Sequence, residues 1–142
     1  MIMPSVQTIW DPLRKKEVAL TPEERVRQWS IGVLNSNMGV PMHMMKSEVG
    51  FKLGGKQFRA DILIYDRSAQ PLAVVECKRP QVEITGEVMD QAIRYNMVLD
   101  VRYIIITNGT NTYICQRVEK DGAYTYEFLS KVPTYNEMLC QR

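Results

Sequence analysis

The sequence predicts an α/β fold in which a mixed central β-sheet is flanked by helices. The prediction rests first on two nearly continuous apolar runs, 72–78 and 101–107, which have the length typical of strands buried on both faces. A helix predicted at 86–99 lies between them, and such a strand–helix–strand unit joins parallel strands through a right-handed crossover. Earlier in the chain, Gly54-Gly55 predicts a turn between two antiparallel strands. The two arrangements together make the predicted sheet mixed.

The first helix has a sharp predicted start at Pro22. Thr21 can cap it, proline suits the first helical position, and Glu24 stands three residues after the cap. The helix is expected to end within 35–39, before Pro41. The apolar residues that should face the core at helical spacing are Val26, Trp29, Val33 and Leu34.

The remaining elements follow from apolar alternation and from turn signals. Thr85 can cap the second helix, and Asn108-Gly109 predicts a turn between strands. Two prolines and a charged run predict that residues 1–20 form an irregular N-terminal arm, followed by a single domain at 21–142. The predicted strands are 47–53, 58–65, 72–78, 101–107, 112–118 and, as a weaker edge strand, 124–129.

Composition narrows the classes of protein that the chain can represent. Its 142 residues, 45% hydrophobic and 24% charged, suit one soluble globular domain. No apolar run approaches the roughly 20 residues of a membrane helix, and no secretion signal is recognisable, which favours the cytoplasm. A net charge of +2 is lower than that of a strongly basic nucleic-acid binder, although it is compatible with a basic cleft. Three widely spaced cysteines and a single histidine argue against disulfide frameworks, zinc sites and histidine-rich metal sites.

Three charged residues in or beside the predicted strands give the strongest chemical signal. Asp61 lies among the aliphatic residues of a strand, where a carboxylate is costly unless it is paired or bound to a metal. Glu76 directly follows an apolar run and raises the same difficulty. Glu76 and Lys78 are two residues apart, so on a strand they point to one face while Cys77 points to the other.

These three residues have the chemistry needed to hydrolyse a phosphodiester. Two carboxylates from neighbouring strands can hold one Mg²⁺ ion, which prefers oxygen ligands and keeps several waters. A lysine beside them can position or deprotonate a water, and the cation stabilises charge that develops on the phosphate. A structural interpretation is also open, in which Glu76 and Lys78 form an ion pair and Asp61 bonds to Arg59 or to a backbone amide.

The two helices carry further polar candidates. Gln91 and Tyr95 are four residues apart on one helical face, where Gln91 can reach a phosphate or nucleotide and Tyr95 can hydrogen-bond or stack. Glu23 lies near the buried stripe of the first helix and could complete a metal shell, so we prefer it for that role. Glu24 holds the capping position and is the alternative. The arginines close to these elements, which could contact phosphates or be ordinary solvated side chains, are Arg59, Arg79 and Arg94.

Five segments of the chain carry a family resemblance. They read TPEERVRQ (21–28), RADILIY (59–65), VVECKRP (74–80), DQAIRYN (90–96) and IIITNG (104–109). In this order they resemble the N-terminal nuclease domain of the restriction subunit of type I restriction enzymes, a member of the PD-(D/E)xK nuclease superfamily. The resemblance covers most of residues 21–118 and is specific as a set. It implies a restriction-endonuclease-like core, with a mixed sheet flanked by helices.

The resemblance also implies a site and a cofactor. The cofactor is Mg²⁺, with Mn²⁺ as a substitute, and the substrate is DNA. The implied site residues are two metal ligands (Asp61 and Glu76), a catalytic lysine (Lys78), the glutamine and tyrosine of a Q-x-x-x-Y element (Gln91 and Tyr95), and a metal-assisting glutamate (Glu23 or Glu24).

Two hypotheses about function follow. In the restriction subunits this domain precedes an ATP-driven translocase, whereas this sequence contains no P-loop pattern, so ATP-dependent restriction is not carried over. The first hypothesis is a Mg²⁺-dependent nuclease that hydrolyses DNA in restriction, defence or repair. The alternative is a non-catalytic module that keeps the fold and binds nucleic acid or protein. Expected partners are DNA, a separately encoded translocase or specificity subunit, and a second copy in a homodimer, with no membrane association.

Overall fold

A computed structural model describes residues 6–140 and shows a six-stranded mixed sheet preceded by a two-stranded sheet. The large sheet has the strand order β3-β4-β5-β6-β7-β8, in which β5 and β6 are parallel and the other neighbours are antiparallel. The predicted mixed sheet flanked by helices is therefore confirmed. In chain order the elements are β1 (Thr8–Asp11), β2 (Lys16–Ala19), α1 (Pro22–Ser36), a short 3₁₀ helix (Met42–Met44), β3 (Met45–Leu53), β4 (Lys56–Tyr65), β5 (Pro71–Cys77), α2 (Gly86–Asn96), β6 (Tyr103–Thr107), β7 (Thr112–Lys120), β8 (Ala123–Phe128) and α3 (Tyr135–Cys140).

Every element predicted between residues 21 and 129 is present, with small shifts at the ends. The largest shift is at the end of α2, which stops at Asn96 rather than at residue 99. Met97 takes the cap position there, and its N–H donates to the Ile93 carbonyl over 2.8 Å. The chain then turns through Val101, whose N–H donates to the Leu99 carbonyl, before β6 begins.

The sheet separates two apolar cores, one against each face. Successive residues of β4 divide between them, because Ile62 and Ile64 belong to one core and Leu63 belongs to the other. Helix α1 covers the first core through Ile31, and α2 covers the second through Met89. All five residues of β6 are buried, as expected for a central strand that is covered on both faces.

The buried stripe of α1 differs from the predicted one. Thr21 caps the helix as predicted, since its Oγ1 accepts the Glu24 N–H at 3.1 Å. Trp29 was expected to face the core, but 46% of its surface is exposed, so that prediction is wrong. The stripe runs instead through residues spaced by three and four, and it includes polar members: Glu24, Val26, Arg27, Ser30, Ile31 and Leu34.

The N-terminal segment is an ordered hairpin rather than the predicted irregular arm. Strands β1 and β2 pair in an antiparallel register, with Asp11 opposite Lys16. Asp11 is fully buried, accepts the Leu13 N–H at 2.9 Å and forms an ion pair with Arg14. Arg14 also pairs with Glu24 of α1, so the hairpin is joined to the domain across the proposed boundary at residue 20. That boundary stays a prediction, and residues 1–5 and 141–142 lie outside the described part.

A short C-terminal helix, α3, was not predicted and completes the core on the α1 side. Tyr135 and Met138 are both buried there. The Tyr135 hydroxyl donates to the Tyr65 carbonyl at 2.7 Å, and its backbone N–H donates to the Met38 carbonyl at 2.8 Å. Within residues 6–140, no helix is both long and apolar enough to cross a membrane.

Candidate active site

Asp61 and Glu76 come together where the pairing of β4 and β5 ends. The last paired residues are Ile62 and Val75, so each carboxylate stands one residue beyond the ladder. Asp61 Oδ2 accepts the backbone N–H of Cys77 at 2.7 Å, which ties the β4 carboxylate to the end of β5. The predicted adjacency of these strands is therefore confirmed.

One open cavity of about 610 Å³ collects most of the predicted site residues. Glu76 and Lys78 both line it, as the two-residue spacing predicts. Cys77 also borders the cavity, but it is only 3% exposed and belongs to the core on the α1 side. Of the ten predicted site residues, Glu24 and Arg94 are not among those that line the cavity. The eight that line it are Glu23, Arg59, Asp61, Glu76, Lys78, Arg79, Gln91 and Tyr95.

A second cavity, between α1 and the sheet, has a different character. It is about 300 Å³ in volume, includes Trp29 and Val132 among its lining residues, and has no charged side chain in its lining. Hydrolytic chemistry requires titratable or metal-binding groups, so the cavity that contains Asp61 and Glu76 is the candidate active site.

Two side chains from different parts of the fold hold Glu76: Lys78, which follows β5, and Asn96 of α2. Its Oε2 accepts from Lys78 Nζ at 2.8 Å, which is the ion pair of the structural interpretation, formed inside the cavity. Its Oε1 accepts from Asn96 Nδ2 at 2.9 Å, and the same amide donates to the Ala92 carbonyl at 2.8 Å. Asn96 is buried at the end of α2 and was not singled out by the sequence. The only signal was its place directly after Tyr95.

The environment of Asp61 disfavours its charged form. Burial raises the pKa of this carboxyl from 3.8 to about 6, and the carboxylates of Glu23 and Glu76 act in the same direction. The Cys77 N–H and the Arg27 guanidinium lower the pKa but do not offset the burial. A cation placed between the carboxylates would relieve this repulsion.

Arg27 is a buried charge that the sequence analysis missed. Only 3% of the residue is exposed, and its guanidinium lies 2.8 Å from Glu24, 2.6 Å from Glu48 and 3.5 Å from Asp61. Glu48 adopts a left-handed backbone conformation with φ +55, which is unusual for a residue other than glycine, on the strand that pairs with β4. The spacing of Arg27 from Glu23 and Glu24 was the available signal, because residues three and four apart meet on a helix.

The two glutamates at the start of α1 have different surroundings. The Glu24 side chain is only 7% exposed and accepts from Arg14 at 2.6 Å, Arg27 at 2.8 Å and Gln28 at 3.0 Å. Those contacts occupy its oxygens, so it is a structural residue. Glu23 is 46% exposed in its side chain and lines the cavity. The preference for Glu23 fits this geometry, since its side chain lies 3.4 Å from Arg27 of the buried stripe, although Glu24 is the more buried of the two glutamates.

Gln91 and Tyr95 line the cavity from one face of α2, as predicted. The Tyr95 hydroxyl accepts the Arg59 N–H at 3.0 Å and lies 3.5 Å from the Arg59 carbonyl. Tyr95 therefore fixes α2 against β4, in addition to any contact with a ligand. Arg59 is 70% exposed in its side chain and lies 3.2 Å from Glu48.

The donor set was tested against a divalent cation. Among residues 6–140, no three or more side chains of His, Cys, Asp and Glu converge closely enough to hold a metal ion. Two carboxylates from adjacent strands are nevertheless a donor set that suits Mg²⁺, because this ion keeps several of its waters and takes one or two carboxylates. Burial, with smaller contributions from the Glu23 and Glu76 carboxylates, raises the pKa of Asp61, and a bound cation would favour its charged form.

Comparisons with known proteins identify the family to which the chain belongs. A family model described as "Type I restriction enzyme R protein N terminus" matches residues 22–133. The type I restriction enzyme EcoAI endonuclease subunit of Escherichia coli is 46% identical over 50 residues, which are 35% of this chain and 6% of that protein. The fragment structure of a putative HsdR subunit of a type I restriction enzyme from Vibrio vulnificus YJ016 superimposes with a TM-score of 0.55 at 26% identity, covering 84% of this chain and 24% of that one. The chain spans a small part of both relatives, and it belongs to the family of type I restriction enzyme R protein N-terminal domains.

Proposed function

We propose that the chain hydrolyses phosphodiester bonds of DNA in restriction or a related defence process, with Mg²⁺ as its cofactor. One observation carries the proposal: Asp61 of β4, Glu76 of the neighbouring β5 and Lys78, which directly follows β5, line one open cavity. The family membership supports it, because the relatives are described as restriction endonuclease subunits. We further expect the protein to act in the cytoplasm.

In this proposal Asp61 and Glu76 would hold Mg²⁺, or Mn²⁺ as a substitute. The ion supplies positive charge that stabilises the phosphate during attack. Asn96 and Lys78 orient Glu76 from opposite sides, so the carboxylate is held in place before substrate arrives. Glu23 lines the same cavity, 46% exposed and 3.4 Å from Arg27, which suits the assisting role predicted for it.

Lys78 is the candidate for handling the attacking water. Its ammonium lies in the cavity, one-third exposed, and has donors to spare beyond its bond to Glu76. It can therefore orient the water that attacks phosphorus in line with the leaving oxygen, and take part in moving its proton. Arg59 and Arg79 line the same cavity and would contact the neighbouring phosphates.

The test is a cleavage assay on supercoiled plasmid and on linear single-stranded DNA, with Mg²⁺, Mn²⁺ or chelator. Glu76→Gln and Lys78→Met each remove one function with little change in volume, and we expect each to lower the rate at least about a hundredfold. Asp100→Asn is the matched control, since this carboxylate is 91% exposed and pairs with Arg117 outside the cavity. Equal rates in Glu76→Gln and in the unmodified protein would refute the assignment.

The alternative is a binding module that retains the fold without catalysis. The observation that favours it is the ion pair of Glu76 with Lys78, which leaves both groups mutually neutralised. It predicts DNA binding that is insensitive to Mg²⁺ and to Glu76→Gln, with no cleavage. Cleavage that appears only after addition of a translocase or specificity subunit would instead assign the chain to a multi-subunit enzyme. Sedimentation with and without DNA tests the expected homodimer.

A further inference from the structure

The hairpin of β3 and β4 extends past the rest of the large sheet. β4 pairs with β3 as far as Lys56, whereas its pairing with β5 begins only at Ile62. Gly54 and Gly55 make the turn with φ +57 and +78, and such two-residue turns match the twist of a free hairpin. In the described chain, no third strand pairs with residues 50–59, hereafter the ribbon.

Two partly buried aromatic rings on one face of the ribbon, one of which packs against the second core, form a ladder with a third ring from α2. Phe51 and Phe58 are cross-strand partners and stack with centroids 5.8 Å apart and an interplanar angle of 11°. Tyr95 of α2 continues the ladder, with its ring 5.3 Å from Phe58 and 42% of its surface exposed. Tyr95 also lines the cavity, so the ladder leads from the ribbon to Asp61 and Glu76.

All charged residues within the ribbon are positive, and one of them, Arg59, pairs with Glu48 just outside it. Its sequence, GFKLGGKQFR, contains Lys52, Lys56 and Arg59 and no acidic residue. Arg59 also lines the cavity, so the positive charge continues to the candidate active site. The opposite edge strand, β8, has exposed aromatic residues too, but it carries Glu127 and no cation. Aromatic rings combined with cations therefore distinguish the ribbon from the other edge of the sheet.

We propose that the ribbon binds single-stranded DNA and delivers it to the cavity, with bases stacking on the aromatic ladder and phosphates contacting the cations. Base stacking on protein rings requires unpaired bases, because the faces of bases in a duplex are already covered by their neighbours. Lysines and arginines along the strand then neutralise the backbone. The inference rests on the proposed function for its substrate, and it specifies single-stranded or locally opened DNA.

The experiment measures binding separately from cleavage. A labelled DNA strand of about 15 nucleotides, alone or annealed to its complement, is titrated with the full chain in chelator, and affinity is read by fluorescence anisotropy. Phe58→Leu removes a ring while keeping an apolar side chain. Phe128→Leu makes the same change on β8 and serves as the matched control. Quenching of 2-aminopurine in the strand reports stacking itself, which a purely structural role of Phe58 would not produce.

We expect the single strand to bind at least about tenfold tighter than the duplex, and Phe58→Leu to weaken it about tenfold with loss of quenching. Phe128→Leu should leave both unchanged. If Phe58→Leu does not fold, Lys52→Gln with Lys56→Gln tests the ribbon and should weaken binding and flatten its salt dependence. Equal binding of duplex and single strand, or equal effects of the two leucine variants, would overturn the inference. Binding as expected with no cleavage, either alone or with an added translocase or specificity subunit, would refute the nuclease proposal and leave the inference about the ribbon intact.

Discussion

Two groups of charged residues meet at the start of α1, and the pKa of a buried aspartate is shifted in opposite directions in the two groups. In the N-terminal ion network of Asp11, Arg14 and Glu24, each carboxylate is paired with the same guanidinium. Burial alone would raise the pKa of Asp11, but hydrogen bonds from Arg14 and Leu13 hold it below its usual value. In the cavity, burial and neighbouring carboxylates raise the pKa of Asp61 to about 6. The charged form of Asp11 is therefore favoured, whereas the charged form of Asp61 is disfavoured.

The difference separates a structural role from a functional one. Charges that serve only stability are expected to be paired, because an unpaired buried charge is costly. A site that must accept a cation has to leave part of that cost unrelieved until the cation binds. Arg27 lies between the two groups, contacting Glu24 on one side and Asp61 on the other.

Removing the residue shared by the two groups should have the largest effect. Arg27→Met removes a buried guanidinium that contacts Glu24, Glu48 and Asp61, and we expect a loss of about 3–5 kcal/mol in the free energy of unfolding. Arg25→Met, on the exposed face of the same helix, should change it by no more than about 0.5 kcal/mol. Urea unfolding measures both, and similar losses in the two variants would show that the buried guanidinium is not special.

Neutralising Asp61 in the cavity should raise the free energy of unfolding, whereas Arg27→Met should lower it. In chelator, Asp61→Asn should be more stable than the unmodified protein at neutral pH by up to about 3 kcal/mol, since each pKa unit corresponds to about 1.36 kcal/mol. Because the folded state binds this proton more tightly than the unfolded state does, the stability of the unmodified protein falls as pH rises from about 4 through about 6. The gain from the substitution should therefore shrink on acidification. If the variant were less stable than the unmodified protein at neutral pH, the charged form of Asp61 would not be disfavoured in the folded state.

Neutralising Asp11, the carboxylate that pairs with Arg14, should have the opposite effect on stability to neutralising Asp61. Asp11→Asn should lower the free energy of unfolding by about 1–3 kcal/mol, because the fully buried acceptor of Arg14 and Leu13 loses its charge. The lowered pKa of Asp11 means that its contribution is present at neutral pH and is lost as pH falls through that value. Thermal unfolding of this variant and of Asp61→Asn should shift in opposite directions. Shifts of the same sign would remove the distinction between the two groups.

The smallest predicted effect concerns the orientation of Glu76. Asn96→Ala removes the amide that donates to Glu76, and we expect DNA cleavage to slow by about 10–100-fold, mainly in kcat. Asn35→Ala is the control, because its amide donates to the Val40 carbonyl away from the cavity. A loss in Asn96→Ala that is confined to stability, with an unchanged rate in the folded fraction, would make Asn96 purely structural.

The fold was largely predictable because its signals are local. The apolar runs at β5 and β6 and the glycine turn between β3 and β4 each specify their element within a few residues. The N-terminal hairpin was not predictable in this way, because β1 and β2 are each only four residues long and only half of their residues are apolar. Its order comes from the contact of Arg14 with Glu24, which is ten residues distant in sequence.

The residues of the candidate site also differ in whether a local sequence pattern could identify them. Asp61, Glu76 and Lys78 could be found from alternation, because a charge inside an apolar strand is conspicuous. Arg27 and Asn96 act on carboxylates 34 and 20 residues away, and no local pattern links those positions. The predicted burial of Trp29 was wrong for a related reason. Three members of the buried stripe of α1, Glu24, Arg27 and Ser30, are polar, so the spacing of apolar residues did not identify the buried face.

The central claim is that the cavity of Asp61 and Glu76 binds a divalent cation, and counting bound Mn²⁺ by electron paramagnetic resonance tests it most directly. The account predicts Mn²⁺ binding in the unmodified protein, competition by Mg²⁺, and loss of binding in both Asp61→Asn and Glu76→Gln. Glu24→Gln, which alters a carboxylate already held by two arginines, should retain the ion if the variant is folded. Binding that persists unchanged in Asp61→Asn and Glu76→Gln would contradict the account.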